Sequence, residues 1–307
     1  MATAIYTHPV CEQHDMGTGH PECPARLSSI TSALEAAGLS EQLDQRQAPQ
    51  AEQESLALAH PASYVRQIFE AAPAEGRVSL DGDTSMNTFS LEAARRAAGA
   101  AIAAVDAVMA GEVQNAFCQT RPPGHHAERE QAMGFCLFGN VAIAAKHALD
   151  FHGLERVAIV DFDVHHGNGT EDLVKGDQRI LFCSSFMHPH YPGYFGKNVP
   201  GMRINTPLSG GADGDVFRAA INDHWLPALR EQKPQMIFIS AGFDAHKDDP
   251  LGGLALVEDD FHWATRQFMQ VADETADGRV VSVLEGGYNL SALGRSAAAH
   301  VQALLGQ

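Results

Sequence analysis

Val157 to Thr170 reads Val-Ala-Ile-Val-Asp-Phe-Asp-Val-His-His-Gly-Asn-Gly-Thr. The first four residues are an uninterrupted apolar run, the pattern of a strand buried on both faces of a parallel sheet. Asp161, Asp163, His165 and His166 follow within six positions. If the strand continues through them, alternation points Asp161, Asp163 and His165 to one side. Charged groups at the end of a buried strand are costly unless compensated, and a divalent metal is the simplest compensation. A polar, solvated strand end is the plainer alternative. Gly167 and Gly169 read as residues that let the chain turn tightly.

Outward from this stretch, the chain alternates strands with helices. Ala4–Thr7, Ala116–Gln119, Ile180–Ser184, Met236–Ser240 and Val280–Leu284 read as further strands. Helical patterns cover Ala25–Ala37, Pro61–Ala72, Ser90–Ala110, Leu137–His152, Asp215–Arg230, Glu258–Asp273 and Leu290–Leu305. Gly17–Pro24 and Leu80–Thr88 read as polar loops. This alternation predicts a mostly parallel sheet covered by helices on both faces. Sites on such sheets lie outside the carboxyl ends of the strands. Three more polar blocks stand in that relation to a strand. Arg121-Pro-Pro-Gly-His125-His126-Ala-Glu128 follows the strand at Phe117. Ala241-Gly-Phe-Asp244 begins the block after Ile239, and Glu285-Gly-Gly-Tyr288 follows Val283. Singly, each block has an ordinary explanation as a turn or packing element. Four in the same relation to a strand are hard to explain that way.

Composition narrows the classes. The 307 residues are 45% hydrophobic, enough for a large core, with no linker, repeat or low-complexity tract. The net charge of −17 argues against nucleic acid as a direct partner. An acidic surface attracts cationic segments or polyamines, although solubility alone explains it as well. No signal peptide or membrane-length apolar stretch is visible. The five cysteines are odd in number, scattered and without CxxC spacing. That pattern predicts reduced thiols in a cytoplasmic protein and no thiolate zinc site. A homo-oligomer is left open.

The four blocks together resemble the zinc-dependent histone deacetylase superfamily, and most closely its class II branch with the bacterial deacetylase-like amidohydrolases. The resemblance runs from about His20 to near the C-terminus. It implies an α/β arginase-deacetylase fold over residues 1–307 as one catalytic domain, with a central, mostly parallel eight-stranded sheet flanked by helices. It implies Zn²⁺ held by Asp163, His165 and Asp244, a ligand set that leaves a position for water or substrate. The tandem histidines fall on His125 and His126, partnered by Asp161 and Asn168 respectively. An aspartate partner favours the imidazolium in His125, whereas the neutral Asn168 leaves His126 free to act as base and then acid. Tyr288 falls on the residue that donates to the oxyanion, with Gly286 and Gly287 supplying its loop's flexibility. Phe135 and Tyr191 match tunnel walls, Gly286 is placed with them at the substrate site, and Asp83 matches an acidic rim residue that holds the substrate backbone. A potassium ion is implied at Asp161 and Ser184, with main-chain oxygens of Asp163 and His165.

The implied reaction is hydrolysis of an acyl amide to a carboxylate and a free amine. In polyamine-selective relatives a glutamate follows the Asp-Pro pair. Here Asp249-Pro250 is followed by Leu251, which favours acyl-lysine peptides or small acyl amides. The loop His20-Pro-Glu-Cys-Pro24 counts the other way, since it narrows a tunnel. An acetylpolyamine amidohydrolase is therefore the main alternative. An arginase-like dimetal hydrolase would leave the His-His and Gly-Gly-Tyr blocks idle. A non-catalytic acyl-lysine binding module would have no use for the complete set of ligands, histidines and tyrosine.

Overall fold

The computed structural model describes residues 2–307. Its strands are β1 (Thr3–Thr7), β2 (Leu43–Gln47), β3 (Arg77–Ser79), β4 (Ser85–Asn87), β5 (Asn115–Cys118), β6 (Val157–Asp161), β7 (Ile180–Met187), β8 (Arg203–Leu208), β9 (Ile237–Ala241) and β10 (Val280–Leu284). Its helices are α1 (Ala25–Ala36), α2 (Gln53–Leu56), α3 (Ala62–Ala71), α4 (Ser90–Met109), α5 (Asn140–Asp150), α6 (Asn168–Val174), α7 (Gly214–Ala220), α8 (Leu226–Gln232), α9 (Glu258–Thr275) and α10 (Leu290–Leu304). Eight strands form one sheet in the order β2-β1-β5-β10-β9-β6-β7-β8, and every pairing is parallel. The expected mostly parallel sheet is thus wholly parallel. β3 and β4 form a separate antiparallel hairpin.

Two apolar layers hold the sheet, one on each face. On one face, Leu27, Ile30 and Leu34 of α1 pack with Phe261 and Phe268 of α9 and Leu293 and Val301 of α10. On the other, Tyr64, Val65 and Ile68 of α3 pack with the alanines of α4 and with Val141 and Ile143 of α5. The central strands β5, β6, β9 and β10 are buried along their whole length, as their apolar runs require.

Two sheet strands escape the sequence patterns, and both are edges. β2 is Leu-Asp-Gln-Arg-Gln, with only Leu43 buried and the other four positions part-buried or exposed, so it carries no apolar run. β8 contains Pro207, which only an edge strand tolerates. The segment expected as the helix Asp215–Arg230 is broken into α7 and α8 by a π-turn over Ile221–Trp225. Pro227 sits at the start of α8 and has no N–H to give the turn before it, and the wider turn accommodates that loss.

The sheet order decides where chemistry can occur. The four polar blocks follow β5, β10, β9 and β6, which are four consecutive strands of the sheet. Because these strands are parallel, their blocks leave the same edge side by side.

Candidate active site

β6 ends at Asp161, so Asp163 and His165 lie in the bend after it. The expectation that strand alternation aims them is corrected: the loop does so, by hydrogen bonds to its own carboxylates. The Asp163 amide donates to Asp161 Oδ1 at 3.1 Å, and the His165 amide to Asp163 Oδ1 at 2.9 Å. The Val164 amide donates to Asp244 Oδ1 at 2.8 Å, tying this loop to the one after β9. His165 Nδ1 then lies 3.0 Å from Asp163 Oδ1 and 3.1 Å from Asp244 Oδ2.

All three side chains are buried and form a cluster of metal-ligand type. Zinc bound tetrahedrally at about 2.0–2.2 Å separates neighbouring ligand atoms by about 3.4 Å. The two spacings to His165 lie a few tenths of an ångström short of that value, and all three ligand atoms lie within 4.8 Å of one another. Burial, and then the charge of Asp163, push Asp244 up to about 7. Burial alone would lower His165, but Asp163 and Asp244 raise it to about 10. A dication among the three groups relieves this crowding of carboxylates, so the donor set fits zinc.

Glycines make the cluster possible by close approach. A Cβ on Gly242 would collide with the Asp163 carboxylate, and one on Gly286 with both Asp163 and Asp244. The Gly286 amide donates to Asp163 Oδ2 at 2.8 Å. Gly286 therefore lies beneath the cluster, deeper than the cavity wall. Gly167 and Gly169 are corrected in the same sense. Neither has a positive φ. Side chains there would strike Asp161 and the Ala127 carbonyl respectively. Gly287, at φ 120°, does need glycine's backbone freedom.

The paired histidines face different partners. His125 Nδ1 lies 3.0 Å from Asp161 Oδ2, and its Nε2 lies 3.7 Å from Asp163 Oδ2. Burial would lower the His125 pKa, but the charges of Asp163 and Asp161 prevail and hold it well above the usual range. His126 Nδ1 lies 2.7 Å from Asn168 Oδ1. Burial, followed by the neighbouring His125 and His165, holds His126 well below the usual range. The opposite directions follow from the partners, carboxylates beside His125 and a neutral amide beside His126.

The histidine and tyrosine loops rest on residues to which the sequence assigns no role. Glu285 accepts from the amides of Gly124 at 2.7 Å and His125 at 3.1 Å, locking the histidine loop to the tyrosine loop. Burial pushes its carboxyl up to about 7. Asp249 Oδ2 accepts from the amides of Tyr288 at 2.6 Å and Asn289 at 3.0 Å. Arg26 donates to the Gly287 carbonyl at 2.7 Å and lies 5.1 Å from the Tyr288 ring centre. Glu22, fully buried, pairs with Arg26 at 2.9 Å and with Arg121. Asp249, Glu285 and Arg121 stand inside the polar blocks, so their positions were visible, but their partners were not.

A cavity of about 300 Å³ opens above the cluster. His126, His165 and Tyr288 form its base, and Phe135, Tyr191, Leu251 and Asp83 its walls. Phe135 has φ 70°, an unusual value for a non-glycine, and its amide donates to Thr84 Oγ1 at 3.0 Å. Its ring meets His20 edge-on at 4.7 Å and Tyr288 at 5.8 Å. Tyr191 stands edge-on to His126 at 5.0 Å. His190, which the sequence reading left out, stacks on His165 at 4.9 Å and contacts the Leu251 carbonyl at 2.9 Å. Asp83 accepts from Thr84 at 2.8 Å and from the Gly134 amide at 3.2 Å. Burial raises the Tyr288 hydroxyl well above its usual pKa, so it remains a donor.

Asp161 and Ser184 are buried and opposite one another in the β6–β7 register. Ser184 Oγ also lies 3.1 Å from His166 Nδ1. A second His–Asp group lies elsewhere: His147 Nε2 and His152 Nε2 are each 2.7 Å from Asp106 Oδ1. Metal-binding histidines anchor their second ring nitrogen, but His147 Nδ1 is buried without a partner. That group reads as a structural hydrogen-bonded cluster that ties α5 to α4.

The sheet and the site at its carboxyl edge define a hydrolase domain of the deacetylase type. The histone deacetylase domain family matches residues 20–304, and the chain belongs to that family. The histone deacetylase-like amidohydrolase of Pseudomonas aeruginosa is 41% identical over 284 residues, covering 90% of this chain and 74% of that protein. Histone deacetylase 10, chloroplastic, of Oryza sativa subsp. japonica is 39% identical over 94% of this chain and 70% of its own length. The crystal structure of the HDA15 HD domain superposes with a TM-score of 0.93 at 32% identity, covering 100% of this chain and 88% of that one. No described helix is long and apolar enough to cross a membrane.

Proposed function

We propose that the protein is a zinc-dependent amidohydrolase that removes acyl groups from lysine side chains, with Asp163, His165 and Asp244 holding the metal. The observation that carries this reading is that His165 of that cluster lines one cavity together with His126 and Tyr288. When bound, zinc supplies Lewis acidity to the amide carbonyl and lowers the pKa of water. The chain's own groups supply the rest. His126 takes a proton from the attacking water and returns it to the leaving amine as the C–N bond breaks. His125, held as an imidazolium by Asp161, contributes positive charge next to the reacting carbonyl. The Tyr288 hydroxyl donates a hydrogen bond to the developing oxyanion. Phe135 and Tyr191 flank the lysine methylenes and exclude water, and Asp83 accepts from the substrate backbone at the mouth. Leu251 at the wall offers no counter-charge to a polyamine, which supports acyl-lysine over acetylpolyamine. Asp161 and Ser184, with nearby main-chain oxygens, would hold potassium among the buried carboxylates. Five free cysteines, four of them buried, suit a cytoplasmic protein.

The test is turnover of a panel of acyl-lysine peptides and acetylpolyamines by zinc-loaded and chelator-treated protein. Chelator-sensitive release of carboxylate, with acyl-lysine preferred, is the expected result. Equal activity after complete zinc removal would defeat the zinc assignment. A large preference for acetylpolyamine would defeat the substrate assignment.

A further inference from the structure

We propose that Glu128 is a positioning residue that sets which ring nitrogen of His126 carries the proton, acting through Asn168. The proposal rests on His126 as the base in the function proposed above. A carboxamide presents an acceptor on one side and a donor on the other, and nothing in Asn168 itself says which side faces the histidine. Its surroundings decide. Asn168 Nδ2 donates to Glu128 Oε1 at 2.8 Å, and the Tyr194 hydroxyl donates to the same oxygen at 2.6 Å. A carboxylate only accepts, so the amide must turn its NH₂ toward Glu128. Asn168 Oδ1 is thereby left facing His126 Nδ1 at 2.7 Å, and that nitrogen must donate. The proton is fixed on Nδ1, and Nε2 keeps its lone pair for the cavity that His126 lines. With the amide reversed, the NH₂ would demand a lone pair on Nδ1. The proton would move to Nε2 and the base would be lost.

Burial makes this choice firm. His126 and Asn168 are 4% and 3% exposed, so water does not stand in for a missing partner. Glu128 is itself anchored, its amide donating to the Gln131 carbonyl at 2.9 Å. Tyr194 brings in a second element. It belongs to the same loop as Tyr191, so the loop that carries one cavity wall and the amide that faces the base meet at one carboxylate oxygen.

The experiment reverses the polarity at Glu128 and then restores it. Glu128→Gln keeps an acceptor oxygen and is expected to hold kcat within about tenfold of wild type, the scale of one ordinary hydrogen bond. Glu128→Lys offers only donors, so the Asn168 amide turns over. Its kcat is expected to fall by about 10²–10⁴, the scale of losing a general base, with KM and zinc content little changed. Adding Asn168→Asp to Glu128→Lys restores an acceptor toward both neighbours, and is expected to recover at least tenfold of the lost kcat. A purely structural role for Glu128 would not give that recovery.

Ring-nitrogen NMR of ¹⁵N-histidine protein, with the His126 signals assigned by difference from His126→Ala, reads the tautomer without any turnover. The wild type should carry the proton on Nδ1 and Glu128→Lys on Nε2. Should Glu128→Lys fail to fold, Glu128→Ala with Tyr194→Phe removes both oxygens that the Asn168 NH₂ reaches, Glu128 Oε1 and the Tyr194 hydroxyl at 3.2 Å, leaves only the weak acceptor Met133 Sδ at 3.5 Å, and should give a mixture of tautomers. An Nδ1 proton retained in Glu128→Lys, or in that second variant, overturns the proposal. Wild-type protein inactive on every acyl amide would instead overturn the proposed function, with the NMR result still deciding the role of Glu128.

Discussion

Replacing Gly286 by alanine adds one methyl group at the most crowded point of the site. Gly286 has no positive φ, so its backbone accepts alanine without strain. Space is therefore the only obstacle. The new Cβ would lie 2.6 Å from Asp163 Oδ2 and closer still to Asp244 Oδ2. An ordinary contact needs about 3.5 Å, so at least roughly 0.9 Å must be found. Both neighbours are proposed zinc ligands, and ligand distances tolerate only about 0.2 Å. Moving the tyrosine loop instead would break the Gly286–Asp163 hydrogen bond and draw Tyr288 away from the cavity. Disturbing the groups that support a ligand typically costs about 10–100-fold in metal affinity. Misplacing a catalytic group by about 1 Å costs about 10²-fold in rate. Gly286→Ala should therefore bind zinc about 10–100-fold more weakly, as measured by competition with a chromogenic chelator. At saturating zinc its catalytic efficiency should still be reduced by about 10²-fold. Overpacking should also lower the stability of the metal-free protein by about 1–3 kcal/mol. Wild-type zinc affinity together with wild-type turnover would refute the account of Gly286 as the floor of the metal cluster.

Asp244→Ala should leave two protein ligands, and metal analysis after dialysis should find little zinc; full occupancy would show that Asp244 is not a ligand. Leu251→Glu should shift the ratio of catalytic efficiencies toward acetylpolyamines, and an unchanged ratio would remove this wall from substrate choice. His126→Ala should lose about 10²–10⁴ in rate and more than His125→Ala, since only His126 must exchange a proton. Burial and its positive neighbours depress the His126 pKa, so the free base prevails at neutral pH. Asn168→Asp adds a negative partner and should move the acidic limb of the pH profile upward; a downward or absent shift would contradict this. Burial opposes ionisation of Glu22, but Arg121 and Arg26 hold its carboxyl well below the usual range. A depressed carboxylate contributes stability above the unfolded pKa of about 4.3 that is lost as pH falls toward the folded value. Glu22→Gln should cost about 3–5 kcal/mol at pH 7 by leaving two buried arginines unpaired. Its deficit in denaturant unfolding should shrink on acidification, and a deficit that grows toward low pH would reverse the assignment.

The sequence disclosed the parts of this molecule that obey local rules. Val157–Val160 is apolar because β6 is buried on both faces, and the same holds for the cores of β7, β9 and β10. Edge strands have no such duty, which is why Leu43–Gln47 and Arg203–Leu208 carried no signal. The cluster of Asp163, His165 and Asp244 was visible because its members sit in compact blocks after strands that prove to be adjacent. Local reading failed where the cause was tertiary. Gly167 and Gly169 looked like turn residues, but they are small because Asp161 and the Ala127 carbonyl press on them. Alternation was invoked for Asp163 and His165, although β6 ends at Asp161 and backbone-to-carboxylate bonds do the aiming. Glu128, Asp249 and Glu285 act through partners on other loops, and no spacing rule reveals such a partner.

The two carboxylates and the histidine come from loops 79 residues apart in sequence, between His165 and Asp244. β7, β8, α7 and α8 all lie within that interval. A zinc ion held by the three groups would therefore act as a cross-link, closing a long loop that contains one whole edge of the sheet. Metal that binds only the folded chain stabilises it by about 4 kcal/mol when free metal exceeds its dissociation constant 1,000-fold. Zinc scarcity would then reach the protein twice, through its chemistry and through its lifetime. Metal-free molecules would open more often along the β7–β8 edge, and proteolysis there would register a falling zinc supply as loss of protein.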